Sequence, residues 1–161
     1  MDYQAFIQNK IIRKKEDLNC TLNQWRFQQK KIVFTNGCFD ILHRGHVEYL
    51  AKAAELGDKL IIGLNTDNSV RRLKGENRPV NNEDARAILL SSLIFTDRII
   101  FFEENTPLEL IRYIQPDVLV KGNDYKPEEI VGYDIVKSKG GEIITIELTA
   151  GFSTTSILKR I

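Results

Sequence analysis

Residues 37–46 read Gly-Cys-Phe-Asp-Ile-Leu-His-Arg-Gly-His, which sets the chain's two histidines, His43 and His46, three positions apart around Gly45. The preceding run Lys31-Ile-Val-Phe-Thr-Asn36 is short, apolar and β-branched, as a buried strand requires, and Val47 to Leu56 carries helical periodicity. The pair therefore sits at a strand-to-helix turn, where unpaired N–H groups and the positive end of a helix attract phosphate. Imidazoles placed there can donate to phosphoryl oxygens without any metal. A zinc site is the weaker alternative, because Cys20 and Cys38 lack C-x-x-C spacing and no further histidine exists to complete three or four ligands. An inert surface pair is the plain alternative for an isolated H-x-G-H.

The pattern Gly37, Phe39, Asp40, His43, Gly45, His46 resembles the GxFDxxHxGH signature of the cytidylyltransferase-like nucleotidyltransferases. A second element of that family, GxSTT before a final helix, is matched by Gly151-Phe-Ser-Thr-Thr155. Within the superfamily the runs Phe34–Gly37, Arg72-Leu-Lys-Gly75, Arg78-Pro-Val-Asn81 and Leu119–Glu129 are similar to the D-glycero-β-D-manno-heptose 1-phosphate adenylyltransferases. The H-x-G-H and STT elements identify only the superfamily, and the central runs carry the substrate assignment. In the branch that uses CTP with glycerol or choline phosphate, the second element commonly reads Arg-Thr-Glu-Gly-Ile-Ser-Thr-Thr. Here Leu148-Thr-Ala-Gly-Phe-Ser-Thr-Thr155 lacks the arginine, which weakens that assignment.

The resemblance implies an ATP-dependent enzyme that joins AMP to the heptose 1-phosphate, giving ADP-heptose and pyrophosphate for the lipopolysaccharide core. Magnesium would accompany ATP, held by phosphates and water, since no carboxylate cage is evident. His43 and His46 would hydrogen-bond the α- and β-phosphates, with Lys74 as the main cation and Arg72 and Arg78 behind it. Asn36, Gly37, Cys38, Phe39, Gly45, Lys121, Gly122, Ser153, Thr154 and Thr155 fall to nucleotide binding. Asp40, Asp67, Arg72, Arg78, Arg86, Asp124 and Tyr125 fall to the substrate. A metal held by the protein itself is not expected. The rival readings are a CTP-dependent glycerol 3-phosphate cytidylyltransferase and a nucleotide-binding regulatory module without turnover.

Several of these residues have ordinary explanations as well. Asp40 can hold a loop through backbone N–H groups or orient an imidazole. Arg86 can make a surface ion pair or a phosphate contact. Ser153-Thr-Thr-Ser156, just before the expected helix start Ile157–Ile161, can be no more than a cap. Gly122-Asn-Asp124 satisfies a polar turn by itself, and the basic run from Arg71 to Arg78 can be a solvated surface. Cys38 is expected to lend its backbone to the turn, and both cysteines to stay reduced.

The elements needed to position these groups are legible in outline. Runs at Ile32–Thr35, Leu60–Leu64, Arg98–Phe102, Val118–Val120 and Ile143–Ile146 predict five strands alternating with helices. The α/β class follows, as a single Rossmann-like, doubly wound domain with a five-stranded parallel sheet. Both signature elements then lie at the carboxyl edge, where such sheets bind ligands. Residues 1–30, with scattered Phe6, Ile7, Ile11, Ile12, Leu18, Leu22, Trp25 and Phe27, predict a helical extension ahead of a nucleotidyltransferase domain at 31–161.

With 161 residues the chain suits one domain, and a net charge of +1 from 23 basic and 22 acidic residues gives no reason to expect nucleic-acid binding. No apolar run is long enough to span a bilayer and no signal segment opens the chain, so a cytoplasmic protein is expected. A homodimer is expected from the apolar N-terminal segment. Because only about thirty residues precede the domain, a separate heptose kinase is expected to supply the acceptor.

Overall fold

The computed structural model describes residues 2–158. The expected helix start at Ile157–Ile161 therefore lies partly outside the described residues, at 159–161. In chain order the elements are α1 (Tyr3–Gln8), β1 (Ile11–Ile12), a 3-10 turn (Lys15–Leu18), α2 (Asn19–Phe27), β2 (Ile32–Gly37) and α3 (Arg44–Ala54). There follow β3 (Lys59–Asn65), α4 (Asp67–Lys74), α5 (Glu83–Ser91), β4 (Arg98–Phe102), α6 (Leu108–Ile114) and β5 (Val118–Gly122). A 3-10 turn (Pro127–Glu129), α7 (Tyr133–Ser138), β6 (Glu142–Ile146) and α8 (Thr154–Leu158) complete the described chain.

All strand pairs are parallel, in the order β1-β4-β3-β2-β5-β6. The five strands expected from the sequence are present at the expected positions. The sheet has a sixth, because Ile11 and Ile12 pair with Ile99 and Ile100 instead of continuing a helix. Two residues are too few for any periodicity to show. Their pairing is imposed by the open edge of β4, whose Ile99 N–H donates to the Lys10 carbonyl at 2.8 Å.

Side chains alternate across a strand, so both faces of a parallel sheet need covering. Phe34, Ile61, Ile100 and Leu119 face one side, with Leu22 and Trp25 of α2, Ile111 and Ile114 of α6 and Val136 of α7. Val33, Leu60, Ile62, Ile99 and Val120 face the other, with Tyr49, Leu50 and Ala53 of α3 and Ala87 and Leu90 of α5. Each fully buried Ile or Leu here contributes about 1.5–3 kcal/mol of transfer free energy.

Helix starts are set by local chemistry. Thr66 caps α4 by accepting from Ser69 N at 3.3 Å, and Asn82 caps α5 by accepting from Ala85 N at 2.9 Å. The basic run after the second predicted strand is thus largely helix α4, which stops at Gly75 with φ +102°. Strand order reverses between β2 and β5, since the connections leaving β2 build toward β3 and β4 on one side and β5 and β6 lie on the other. A crevice opens above the carboxyl ends of strands at such a reversal.

Candidate active site

A cavity of about 690 Å³ occupies that crevice. Asn36 and Gly37 enter it from β2, His43 from the cap of α3, Gly45, His46 and Tyr49 from α3 itself, Lys74 and Arg78 from the end of α4 and its loop, Lys121 and Gly122 from β5, and Phe152 to Thr155 from the C-terminal segment.

The histidines meet face to face, with ring centroids 3.7 Å apart and planes at 18°. His43 is the N-cap of α3, and its Nδ1 accepts from the His46 backbone N–H at 3.3 Å. That bond leaves the neutral imidazole's proton on Nε2, so His43 presents a donor. Phe39, held at φ +45°, closes edge-on against His46 at 5.2 Å. Burial pushes His46 down to about 4, helped by the neighbouring His43, with a smaller opposing pull from the backbone at Ile41. Desolvation lowers His43 as well. Both rings are neutral hydrogen-bond donors at pH 7. His46 Nδ1 and Asn36 Oδ1 are buried with no hydrogen-bond partner among the described residues, and both residues line the cavity. Unpaired buried polar atoms are rare and costly, and a cavity is where a ligand can satisfy them.

Gly45 lets α3 and the C-terminal segment approach closely. A Cβ there would lie 3.1 Å from Phe152 Cβ and 3.2 Å from His43 Cε1 and Nδ1. Arg44 stacks over Phe152 at 5.4 Å and bonds Glu48 at 2.6 Å, while Thr149 Oγ1 donates to Glu48 Oε2 at 2.5 Å. The two signature elements are tied together through Glu48. Ser153 Oγ accepts from Ser156 N at 3.0 Å and Ser156 Oγ accepts from Ser153 N at 3.2 Å, a reciprocal cap. The Ser153 hydroxyl accepts in that cap and keeps its O–H to donate, so Ser153, Thr154 and Thr155 all line the cavity with hydroxyls.

Cations line the other wall. Lys74 reaches the cavity without a hydrogen bond or ion pair to any described residue. Lys121 lies 5.8 Å from the Tyr125 ring, and burial lowers its ammonium. Asp124 and Tyr125 also line the cavity. Cys38 contributes its carbonyl, which accepts from Arg86 Nη1 at 2.7 Å. Burial raises its thiol against the opposing pull of Lys74 and Arg86, which disfavours the thiolate.

Several residues read from the sequence as substrate-binding lie elsewhere. Arg86 is 1 % exposed and satisfies four of its five N–H groups on protein: the carbonyls of Asn81, Cys38 and Asn65 at 3.0, 2.7 and 2.8 Å, and Asp67 Oδ1 at 2.8 Å. It is neither the surface ion pair nor the phosphate contact that the sequence allowed. Asp67 is drawn away with it. Arg72 turns outward to Asn105 and Glu103. Asp40 does line the cavity, but its carboxylate is engaged by Arg78, Val80 and Asn81, and it bonds neither imidazole. Sequence reasoning also missed Tyr49, whose hydroxyl pairs with Thr35 Oγ1 at 2.8 Å and is pushed up to about 12 by burial. Nothing but its apolar helical spacing marked it. Phe152 and Thr149 were legible only as neighbours of the STT run.

The family description "Cytidylyltransferase-like" matches residues 34–160, which contain every site residue just described. The chain belongs to the cytidylyltransferase-like family. It is 55 % identical over 153 residues to the bifunctional protein HldE of Nitrobacter winogradskyi, covering 95 % of this chain and 31 % of that protein. It is 62 % identical over 133 residues to the HldE of Campylobacter concisus, covering 83 % and 27 %. The chain thus spans about a third of the length of these relatives. Among solved structures, a lipopolysaccharide core biosynthesis protein from Thermoplasma volcanium superposes with a TM-score of 0.61 at 29 % identity, over 74 % of this chain and 97 % of that one. A pantoate–β-alanine ligase from Francisella tularensis, at 15 % identity and TM-score 0.59 over 92 % and 75 %, shares the fold. In this cytidylyltransferase-like domain no described helix is long and apolar enough to cross a membrane. No group of three or more His, Cys, Asp or Glu able to hold a metal occurs among the described residues.

Proposed function

We propose that this chain transfers AMP from ATP to D-glycero-β-D-manno-heptose 1-phosphate, releasing pyrophosphate and forming ADP-heptose. The observation that carries the reading is the pair of neutral, stacked imidazoles facing one cavity with Lys74, Arg78, Lys121 and the Thr154–Thr155 hydroxyls. A phosphate oxygen of the acceptor forms a bond to the α-phosphorus, and the bond from that phosphorus to the α,β-bridging oxygen breaks with its electron pair leaving on pyrophosphate. The nucleophile is already an anion, so no base has to be supplied. Catalysis then reduces to holding two polyanions in line and stabilising charge on the transferring group. His43 Nε2–H and His46 supply uncharged donors at the α- and β-phosphates, and Lys74 and Lys121 supply compensating charge. Asn36 and Phe39 flank the nucleotide, and Asp124 and Tyr125 are placed to read hydroxyls.

Magnesium would enter with ATP. The described residues offer no three-ligand carboxylate site, so the ion would be carried by the triphosphate and water rather than by a protein cage. The heptose assignment is supported by the likeness to the HldE proteins over 83–100 % of this chain and by the lipopolysaccharide core protein from T. volcanium. The acceptor is a phosphate monoester, which a separate heptose kinase would supply. Dependence on ATP fits a cytoplasmic setting. A second copy of the chain would cover apolar groups such as Phe27 and Ile94, 89 % and 90 % exposed, and the proposed homodimer is checked by its mass in solution.

The deciding experiment measures pyrophosphate release with magnesium and ATP against both anomers of the heptose 1-phosphate and glycerol 3-phosphate, then repeats the panel with CTP. Turnover confined to ATP and the β-anomer is expected. Turnover with CTP and glycerol 3-phosphate would keep the mechanism and overturn the substrate. ATP binding without release on any acceptor would make the chain a nucleotide-binding module.

A further inference from the structure

The pairing of Asp40 with Arg78 has a consequence for how the cavity holds phosphate. Asp40 comes from the turn before α3, is 2 % exposed, and directs both carboxylate oxygens at the loop that follows α4. Oδ2 accepts from Arg78 Nε at 2.5 Å, and Oδ1 accepts from Val80 N at 2.7 Å and Asn81 N at 3.1 Å. The Asn81 side-chain amide answers by donating to the Asp40 carbonyl at 2.9 Å, and Arg86 holds the Asn81 carbonyl from behind at 3.0 Å. The Arg78 side chain is 20 % exposed and lines the cavity. Its Nη groups have no protein acceptor among the described residues.

We propose that Asp40 is a positioning residue that aims Arg78, spending the Nε edge of the guanidinium on protein so that the Nη groups are presented to phosphoryl oxygens of a bound phosphate ester. An arginine free in solvent loses several rotatable bonds' worth of entropy when it grips a ligand. One already fixed through Nε by a buried carboxylate has lost that freedom in the unliganded protein, so its donors act with little reorganisation. The arrangement commits Asp40 to Arg78 and the loop, since three donors already engage its carboxylate. It also sets Arg78 apart from Lys74, which reaches the same cavity with no such partner. Only the kinetic arm of the test below rests on the adenylyl-transfer reading.

Asp40→Asn separates aiming from loop anchoring. The new Oδ1 still accepts from Val80 N and Asn81 N, whereas the new amide N–H₂ opposes Arg78 Nε–H and ejects the guanidinium. Wild type, D40N, R78A and the double variant are compared for calorimetric binding of ATP alone, for binding of the heptose 1-phosphate alone, and for pyrophosphate release. The expected result is that D40N and R78A each weaken one binding arm by roughly ten-fold or more, the order expected for a charge-assisted contact. The double variant should be no worse than R78A, and the arm that responds identifies which phosphate Arg78 holds. Losses that multiply in the double variant, or a D40N protein that binds both ligands like wild type, would overturn the inference. If wild type binds ATP but releases no pyrophosphate, the proposed activity fails while the binding cycle still decides the role of Asp40. Should D40N not fold, the ¹⁵N-resolved Arg78 Nε–H of wild type, assigned by its loss in R78K, provides the answer. It should exchange slowly before and after ATP is added, and fast exchange in the unliganded protein would refute the aiming contact.

Discussion

His43 and His46 stack at 3.7 Å with the Nδ1 of the first accepting the backbone N–H of the second, so one ring's tautomer and the other's position are fixed by the same helix start. Two charged imidazoles cannot share that spacing, and burial already holds His46 down near 4. The pair is built to work uncharged. Replacing either by Ala should lower turnover by about two to four orders of magnitude, given what preorganised donors to a transition state are worth, with circular dichroism unchanged. Turnover within a few-fold of wild type would remove the residue from the mechanism.

The same shift makes a stability prediction. Between pH 6.5 and about 4 the unfolded His46 carries a proton that the folded one does not. Its contribution is therefore intact above pH 6.5 and declines as pH falls toward 4, by at most about 3 kcal/mol. His43 acts in the same direction. Thermal unfolding of wild type and His46→Gln across that range should show a shallower acid loss in the variant. Parallel curves would mean that the imidazole is not held neutral.

Lys74 stands at the cavity end of α4 with no protein partner among the described residues, so its charge is available to a ligand. Lys74→Ala should reduce kcat/KM for ATP by about ten- to a hundred-fold, the scale of a lost charge-assisted contact, and should flatten the salt dependence of that constant. Its melting temperature should barely move, because nothing in the protein depends on the ammonium. An unchanged kcat/KM would place Lys74 outside the site.

Arg86 should behave in the opposite way. Removing its guanidinium leaves Asp67 unpaired and orphans the carbonyls of Cys38, Asn65 and Asn81 under the site. Arg86→Met should cost about 3–5 kcal/mol in urea unfolding, and Arg86→Lys should recover little of it, since one ammonium cannot reach four acceptors on three segments. A variant as stable as wild type would show that the buried network is dispensable.

Gly45→Ala tests the closeness of the two signature elements. Its Cβ would press on Phe152 and the His43 ring at 3.1–3.2 Å. Alanine is the better helix former, so stability should hold. Displacing the imidazole by even part of an ångström should cost about a hundred-fold in kcat. Wild-type kinetics in this variant would show that the contact yields without moving the ring.

What could be read from the sequence is what the chain states locally. The H-x-G-H turn, the STT run and the five core strands depend on residues within a few positions of one another, where period and cap chemistry decide the conformation. The likeness to the heptose adenylyltransferases rests on such runs as well. Family membership followed from them directly.

What only the tertiary structure decided involves partners far apart in the chain. Arg86 has the sequence context of an exposed helical residue, yet it is buried because carbonyls from the turn after β2, from β3 and from the loop after α4 converge on it. Asp40, left between loop holder and imidazole partner, is assigned to a loop 38–41 residues away. The strand at Ile11–Ile12 exists because β4 has a free edge. Hydrogen bonds between groups widely separated in sequence leave no period to read, since the chain records which donors and acceptors it carries, and packing of the sheet decides which of them meet.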